Sequence, residues 1–292
     1  MTKVEVFAPA KVNLTLHIIG QRADGYHLLD SLVAFAPVGD ILTLERSRTS
    51  ALTVSGPEAV ALSGADDNLV LRAAAIFDRN RGAQFALKKT LPLASGIGGG
   101  SSDAAAALRG LARLYPDASW RDILNAAPGL GADVPMCLAP GPSRVGGIGD
   151  EIQPIDLPVL PAVLVNPRVS VSTAAVFQGL RQKSNPPMER EIPRFSGPAA
   201  FADWCRGQRN DLEPHAVEIC SEVKTVLAAI RKLSGTLLAR MSGSGATCIG
   251  LFADMAAADR AAQDLALRHP DWWIKACELG DMRARSAPVP MT

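Results

Sequence analysis

Residues 92–103 read Pro-Leu-Ala-Ser-Gly-Ile-Gly-Gly-Gly-Ser-Ser-Asp. Gly96, Gly98, Gly99 and Gly100 crowd one short stretch, two serines and an aspartate follow, and an alanine-rich helical pattern starts directly behind them. Glycines at this density let the backbone turn freely and come close to a ligand. Ser101 or Ser102 is placed to cap the following helix. Its unpaired N–H groups and the positive end of its dipole would then face the loop, which is how helix N-termini hold phosphates. A plain glycine-rich turn ahead of a core helix would be spelled the same way, so the rest of the chain has to decide. Neither common nucleotide fingerprint is present. No Gly-x-x-x-x-Gly-Lys-Ser/Thr occurs, and after Gly96-Ile97-Gly98 the third glycine of a dinucleotide loop is replaced by Ser101. A P-loop fold and a dinucleotide-binding Rossmann fold both lose ground.

The 292 residues are enough for a substantial core and two domains. Hydrophobic residues make up 48% and charged ones 20%, and the net charge of +1 provides no long-range attraction to nucleic acid or to an anionic membrane. The five cysteines, Cys137, Cys205, Cys220, Cys248 and Cys277, have neither metal-site spacing nor a disulfide framework, and read as reduced, buried residues. No side-chain metal site is expected. Residues 1–6 alternate like a strand rather than a signal peptide, and no apolar run reaches membrane-spanning length. The expectation is a cytoplasmic protein with a small-molecule partner, a monomer or a weak homodimer.

Upstream of the loop, Val4–Phe7 reads as a strand. A second strand has Val12, Leu14, Leu16 and Ile18 on one face and Lys11, Asn13, Thr15 and His17 on the other. If that sheet walls a cleft, Lys11 and Asn13 point into it together. Residues 41–45, 51–55 and 85–89 read as further strands, and residues 68–80 as a helix with Asn68 as N-cap. Downstream, a helix with Ala104, Leu108, Leu111 and Leu114 on its buried face precedes a short helix at 119–126. Prolines and glycines then dominate residues 128–161, where 136–138 and 143–145 read as strands around a Pro140-Gly141 turn. Residues 181–199 read as an exposed loop. The remainder alternates strand 161–166, long helix 212–233, strands 236–241 and 246–252, helix 255–269 and strand 272–279, which is the ferredoxin-like β-α-β-β-α-β arrangement.

Two more segments carry chemistry. Gly129-Leu130-Gly131-Ala132-Asp133-Val134-Pro135 sets a carboxylate between a glycine pair and a proline, where it could take the proton of an attacking hydroxyl or simply cap a turn. Arg240-Met241-Ser242-Gly243-Ser244-Gly245-Ala246 could be a hairpin turn, or could aim backbone amides at phosphate oxygens. Lys11, on the polar face of its strand just after Ala8-Pro9-Ala10, is the best lone cation, against the ordinary case of a surface lysine.

In this order, Pro92–Ser102, Gly131–Pro135 and Arg240–Ala246 resemble the GHMP kinase superfamily over nearly the whole chain. Ala8-Pro9-Ala10-Lys11-Val12-Asn13-Leu14 and Arg22-Ala23-Asp24-Gly25-Tyr26-His27 narrow the resemblance to its branch acting on a cytidyl-linked methylerythritol, on the non-mevalonate route to isoprenoid precursors. The resemblance implies an α+β fold of two domains, residues 1–157 like part of a ribosomal protein and residues 158–292 ferredoxin-like. It implies ATP with Mg2+ as cofactors and transfer of the γ-phosphate to the 2-hydroxyl of the substrate. Lys11 and Asp133 would be the catalytic pair. Pro92, Leu93, Ala94, Ser95, Gly96, Ile97, Gly98, Gly99, Gly100, Ser101 and Ser102 would hold the phosphates, with Ser102 near the magnesium, and Asn68 and Lys89 would hold the adenine. Tyr26 and Phe177 would sandwich the cytosine while His27 reads its edge. Asn13, Thr173, Gly243 and Ser244 would complete the substrate side. Another small-molecule kinase of the superfamily, of mevalonate or homoserine type, and a non-catalytic nucleotide-binding relative are the alternative readings.

Overall fold

The computed structural model describes residues 2–59, 68–77 and 81–291. Met1 and residues 78–80, the expected end of the first helix, lie outside that set. In chain order the first half runs β1 (Lys3–Asn13), β2 (His17–Gln21), β3 (His27–Ser47), β4 (Ala51–Ser55), α1 (Leu69–Phe77), β5 (Gly82–Lys88), α2 (Gly99–Leu114), α3 (Trp120–Ala126), α4 (Val134–Leu138), β6 (Ser143–Gly146) and β7 (Glu151–Pro154). The second half runs β8 (Leu160–Asn166), α5 (Thr173–Gln178), α6 (Pro198–Arg206), α7 (Glu213–Ile219), α8 (Ser221–Arg231), β9 (Leu238–Met241), β10 (Cys248–Leu251), α9 (Met255–Arg268), β11 (Trp273–Leu279) and β12 (Val289–Pro290).

The first sheet is built around β3. The second part of β3 pairs with β1 and β5, and its first part pairs with β2 and β6. Strands 4–7 and 11–18 were expected to be separated at Ala8-Pro9-Ala10, yet β1 runs through that segment unbroken. The ladder with β3 shifts register between Pro9 and Ala10, and such an irregularity accommodates the amide that proline lacks. Helix α2 lies across β1 and β3 between α1 and α4, closing a core of small and branched side chains.

The second sheet has the order β11-β8-β10-β9 with every neighbour antiparallel, the ferredoxin-like order expected from the strand and helix sequence. One expected helix is two. Cys220 takes an extended conformation (φ −142°, ψ 93°) between α7 and α8, so each short helix buries its own apolar face. The hydrophobic period carries on across the break, which hides it from a pattern reading. A second correction concerns residues 136–138, which belong to helix α4 and not to a strand. Pro135 sits in the first turn of α4, where its fixed φ favours a helix start.

The two sheets share a buried seam. Ala10, Val12, Leu14, Leu32, Ala34 and Ile97 from the first half pack with Leu160, Ala162, Leu164, Ile249 and Leu251 from the second. The C-terminal segment then returns, as β12 pairs with β1 and Gly280 bridges Phe35. Arg109 of α2 holds this return in place. Its guanidinium is buried and donates to the carbonyls of Ser286 (3.1 Å), Cys137 (2.5 Å) and Phe7 (3.0 Å). Burial lowers its pKa to about 10, still far above neutrality. Replacing Arg109 with Met leaves those carbonyls without their charged donor and should cost about 2–4 kcal/mol. Urea denaturation measures this, and a loss below about 1 kcal/mol would mean that water serves the carbonyls equally well.

Candidate active site

A cleft of about 710 Å3 opens where the two sheets meet. The glycine loop forms one wall. Helix α2 begins earlier than expected, at Gly99, and its N-cap is Gly98 in the left-handed conformation (φ 65°) with no side-chain cap. Ser101 and Ser102 therefore lie inside the first turn and cap nothing. Among the described residues no side chain takes up the first-turn amides, so Gly99, Gly100 and Ser101 offer theirs to the cleft they line. Gly96 (φ 73°) is pinned from the other side, because a Cβ there would meet the Ser242 carbonyl oxygen at 2.5 Å and the Gly245 nitrogen at 2.7 Å. The Ser242 hydroxyl donates to the Gly96 carbonyl (3.1 Å) and accepts from the Asn13 amide (3.0 Å). The hairpin between β9 and β10 thus buttresses the loop.

At the open end of the loop, the buried Lys11 Nζ lies 3.0 Å from Asp133 Oδ2 and donates to Asn13 Oδ1 at 2.7 Å. Asn13 Nδ2 in turn donates to the Ser31 hydroxyl at 2.8 Å. The polar edge of β1 is a wired row and not a solvated face, since Lys11 and Asn13 are both buried and bonded to each other and to Ser31. Asp133 stands at the N-terminus of α4 without capping it, so its carboxylate, about one third exposed, faces the cleft. The lysine is held by the asparagine and the aspartate while the aspartate stays reachable, which suits a base beside a fixed cation.

The opposite end is aromatic. His27 and Phe177 pack with ring centroids 5.2 Å apart and planes tilted by 36°. Phe177 therefore meets His27 and not Tyr26, which stands 58% exposed at the mouth. His27 Nε2 is buried without a hydrogen-bond partner, and burial, with the Lys183 charge behind it, lowers the pKa of the ring. A neutral imidazole with a spare nitrogen can read a hydrogen-bonding edge. The Thr173 and Ser244 hydroxyls meet at 2.8 Å and close the roof.

All but three of the expected site residues line this one cleft. Ile97 points into the seam between the sheets. Ser102 is buried beneath the loop with its hydroxyl unpartnered. Asn68 spends Oδ1 as a cap on the Val70 amide (2.9 Å). Lys89 reaches the cleft floor, but its ammonium is 2.5 Å from Asp40 Oδ2 and 2.7 Å from Asp103 Oδ2, with all three side chains buried. Burial acts to lower the Lys89 pKa, and the two carboxylates outweigh it and hold it above the usual lysine value. Burial raises Asp103, against the pull of Lys89. Sequence reasoning passed over Asp40, Ser31 and Asp30. The visible signal for the last two was a polar pair, Asp30-Ser31, inside the apolar run 28–36. Asp30 accepts two hydrogen bonds from the Arg144 guanidinium (2.8 Å each) and one from the Met188 amide (2.8 Å), which ties part of the 181–199 loop to the wall of the site.

Residues 68–141 match the family described as GHMP kinases N terminal domain, and residues 196–270 match GHMP kinases C terminal. The chain is a GHMP kinase, with the two-domain α+β fold of that class. A 4-diphosphocytidyl-2-C-methyl-D-erythritol kinase of Roseobacter denitrificans is 51% identical over 98% of this chain and 96% of its own. One from Dinoroseobacter shibae is 55% identical over 92% of each. The chain belongs to the 4-diphosphocytidyl-2-C-methyl-D-erythritol kinase family. A crystal structure of 4-(cytidine 5'-diphospho)-2C-methyl-D-erythritol kinase superposes with a TM-score of 0.77 at 34% identity, covering 94% of this chain and 99% of that one. A homoserine kinase from Cytophaga hutchinsonii, at 20% identity and a TM-score of 0.67 over 99% and 97% of the chains, shares the fold. No helix among the described residues is long and apolar enough to cross a membrane.

Proposed function

We propose that this chain transfers the γ-phosphate of ATP to the 2-hydroxyl of 4-diphosphocytidyl-2-C-methyl-D-erythritol, in the cytoplasm, as a monomer or weak homodimer with domains at 1–157 and 158–292. The observation that carries the reading is the 3.0 Å Lys11–Asp133 pair at the open end of a loop whose first-turn amides are free. The loop amides and the N-terminus of α2 hold the triphosphate. Asp133 accepts the hydroxyl proton, and Lys11, 3.0 Å from it, steadies the developing alkoxide. Magnesium neutralises the phosphate charge when bound. Among the described residues no group of three or more His, Cys, Asp or Glu could hold it, and the orphaned Ser102 hydroxyl in the first turn of α2 is the side-chain oxygen that would help to hold it beside the phosphates. The reacting hydroxyl offers little binding energy of its own, and the distant cytidyl group supplies it.

The test is turnover across a panel of the cytidyl substrate, 2-C-methylerythritol 4-phosphate, mevalonate and homoserine. Comparable kcat/KM with and without the cytidyl group would transfer the assignment to another small-molecule kinase. Stacking a base on an aromatic contributes about 1–3 kcal/mol. Phe177→Ala and Tyr26→Ala should each raise KM for the cytidyl substrate about ten- to a hundredfold and leave KM for ATP alone. If only Phe177→Ala does so, Tyr26 stays at the mouth and the base rests on the His27–Phe177 pair.

A further inference from the structure

The Lys89 ammonium is already engaged away from any ligand. The side chain is 1% exposed, and both its partners are carboxylates. What it joins is informative. Asp40, on β3, also accepts the amides of Thr90 (2.6 Å) and Leu91 (2.9 Å), the two residues that lead into the phosphate loop. Asp103 lies on α2 just past the end of the loop. Lys89 Nζ sits directly under the helix start, 3.1 Å from where a Gly99 Cβ would be. One buried ammonium therefore ties the entrance of the loop, through Asp40, to its exit, through Asp103. The loop between them is held elsewhere by the Ile97 side chain in the seam, the Ser95 hydroxyl on the Pro92 carbonyl (2.6 Å), the Lys11 and Val171 amides on the Ile97 (2.9 Å) and Ala94 (3.3 Å) carbonyls, and the Ser242 and Thr247 contacts from the hairpin, and none of these joins its two ends. A loop that binds through backbone amides depends on its span, since a small misplacement of donors loses the geometry on which binding rests.

We propose that Asp40, Lys89 and Asp103 are positioning residues for the phosphate loop, a buried ionic staple that sets the distance between its two ends, and that the Lys89 side chain acts through it on the triphosphate end of the nucleotide. The proposal rests on the reading that the loop holds phosphates. It differs from an adenine role in a way that two probes separate, because tripolyphosphate has the phosphates of ATP and no base.

The variant to make is Asp103→Leu, similar in size, which cuts the tie at the loop exit and leaves the Lys89–Asp40 pair balanced. Binding of ATP and of tripolyphosphate is measured by calorimetry, with kinetics in parallel. Both ligands should weaken about tenfold, the scale of one lost charge-assisted hydrogen bond. KM for ATP should rise in step, while kcat and KM for the cytidyl substrate stay within about twofold. Asp103→Asn keeps one bond to Lys89 and should recover most of the loss for both ligands, and it decides the matter if the leucine variant does not fold. Should ATP weaken while tripolyphosphate does not, Lys89 and its partners serve the base and the staple is wrong. Unchanged affinity for both ligands, with only a lower Tm, would equally overturn it. On the unmodified protein, tripolyphosphate that fails to compete with ATP would overturn the loop reading itself, a result distinct from either.

Discussion

Asp133→Asn is expected to lower kcat by about 10²-fold or more while ATP binds nearly as before, the usual scale for a removed acid–base group. The amide keeps the shape and the partial contact with Lys11 but cannot take the proton of the attacking hydroxyl. Its position supports the separation of effects: Asp133 caps no helix, so its replacement takes no fold-stabilising bond from α4. Lys11→Ala is expected to be similarly damaging. It also frees Asn13 Oδ1 and so slackens the row that runs to Ser31. Because the ammonium and carboxylate touch, the double variant should lose much less than the product of the two single losses. Single-turnover rates with saturating ATP measure this. Multiplicative losses would show that lysine and aspartate act independently, and a fully active Asp133→Asn would remove the aspartate from the chemistry.

The second large effect is expected at Gly96. Its φ of 73° is strained for any other residue, and a Cβ would press on the Ser242 carbonyl oxygen and on the nitrogen and carbonyl oxygen of Gly245 at 2.5–2.7 Å. These obstacles are backbone and cannot swing aside. Gly96→Val should therefore push the phosphate loop and the β9–β10 hairpin apart and weaken ATP by well over tenfold, since loop and hairpin are held to each other through this close approach, the Ser242 bonds and the Thr247 amide on the Ser95 carbonyl (3.1 Å). Gly100→Ala is the control. There a Cβ meets only Leu69 Cδ1 at 3.4 Å, an ordinary contact, so ATP affinity should change less than about threefold. Equal effects at the two glycines would mean that general flexibility, and not the contact with the hairpin, is what the loop requires.

The extent to which the site was legible follows from where its information lies. The loop, the Asp133 turn and the β9–β10 hairpin announced themselves because glycine in such density is costly in any ordinary element. The alternation in β1 placed Lys11 and Asn13 on one edge, since a strand has a period of two. Tyr26-His27 stood out as aromatic residues in a glycine turn, but which ring would meet Phe177 was not readable, because it depends on how α5 sits against the start of β3. Helix α4 departs from the expected strand, since three apolar residues carry no period and Pro135 just ahead of them fits the start of a strand as well as the first turn of a helix. Lys89 was assigned to the base by resemblance, and the two carboxylates that engage its ammonium come from β3 and α2.

By itself, then, the chain's order of residues determined what is local or periodic: the ferredoxin-like succession of strands and helices in the second half, the glycine loop opening onto a helix, and the two residue types that phosphoryl transfer needs. Only the tertiary structure decided that Lys11 and Asp133 meet, that Gly98 and not a serine begins α2, that β1 runs unbroken past Pro9, and that Asp40 and Asp103 share one lysine. Apart from the start of α2, each of these is a contact between segments far apart in the chain or a register between strands. Such contacts are set by burying the seam between the two sheets as a whole, and no window of sequence contains both partners.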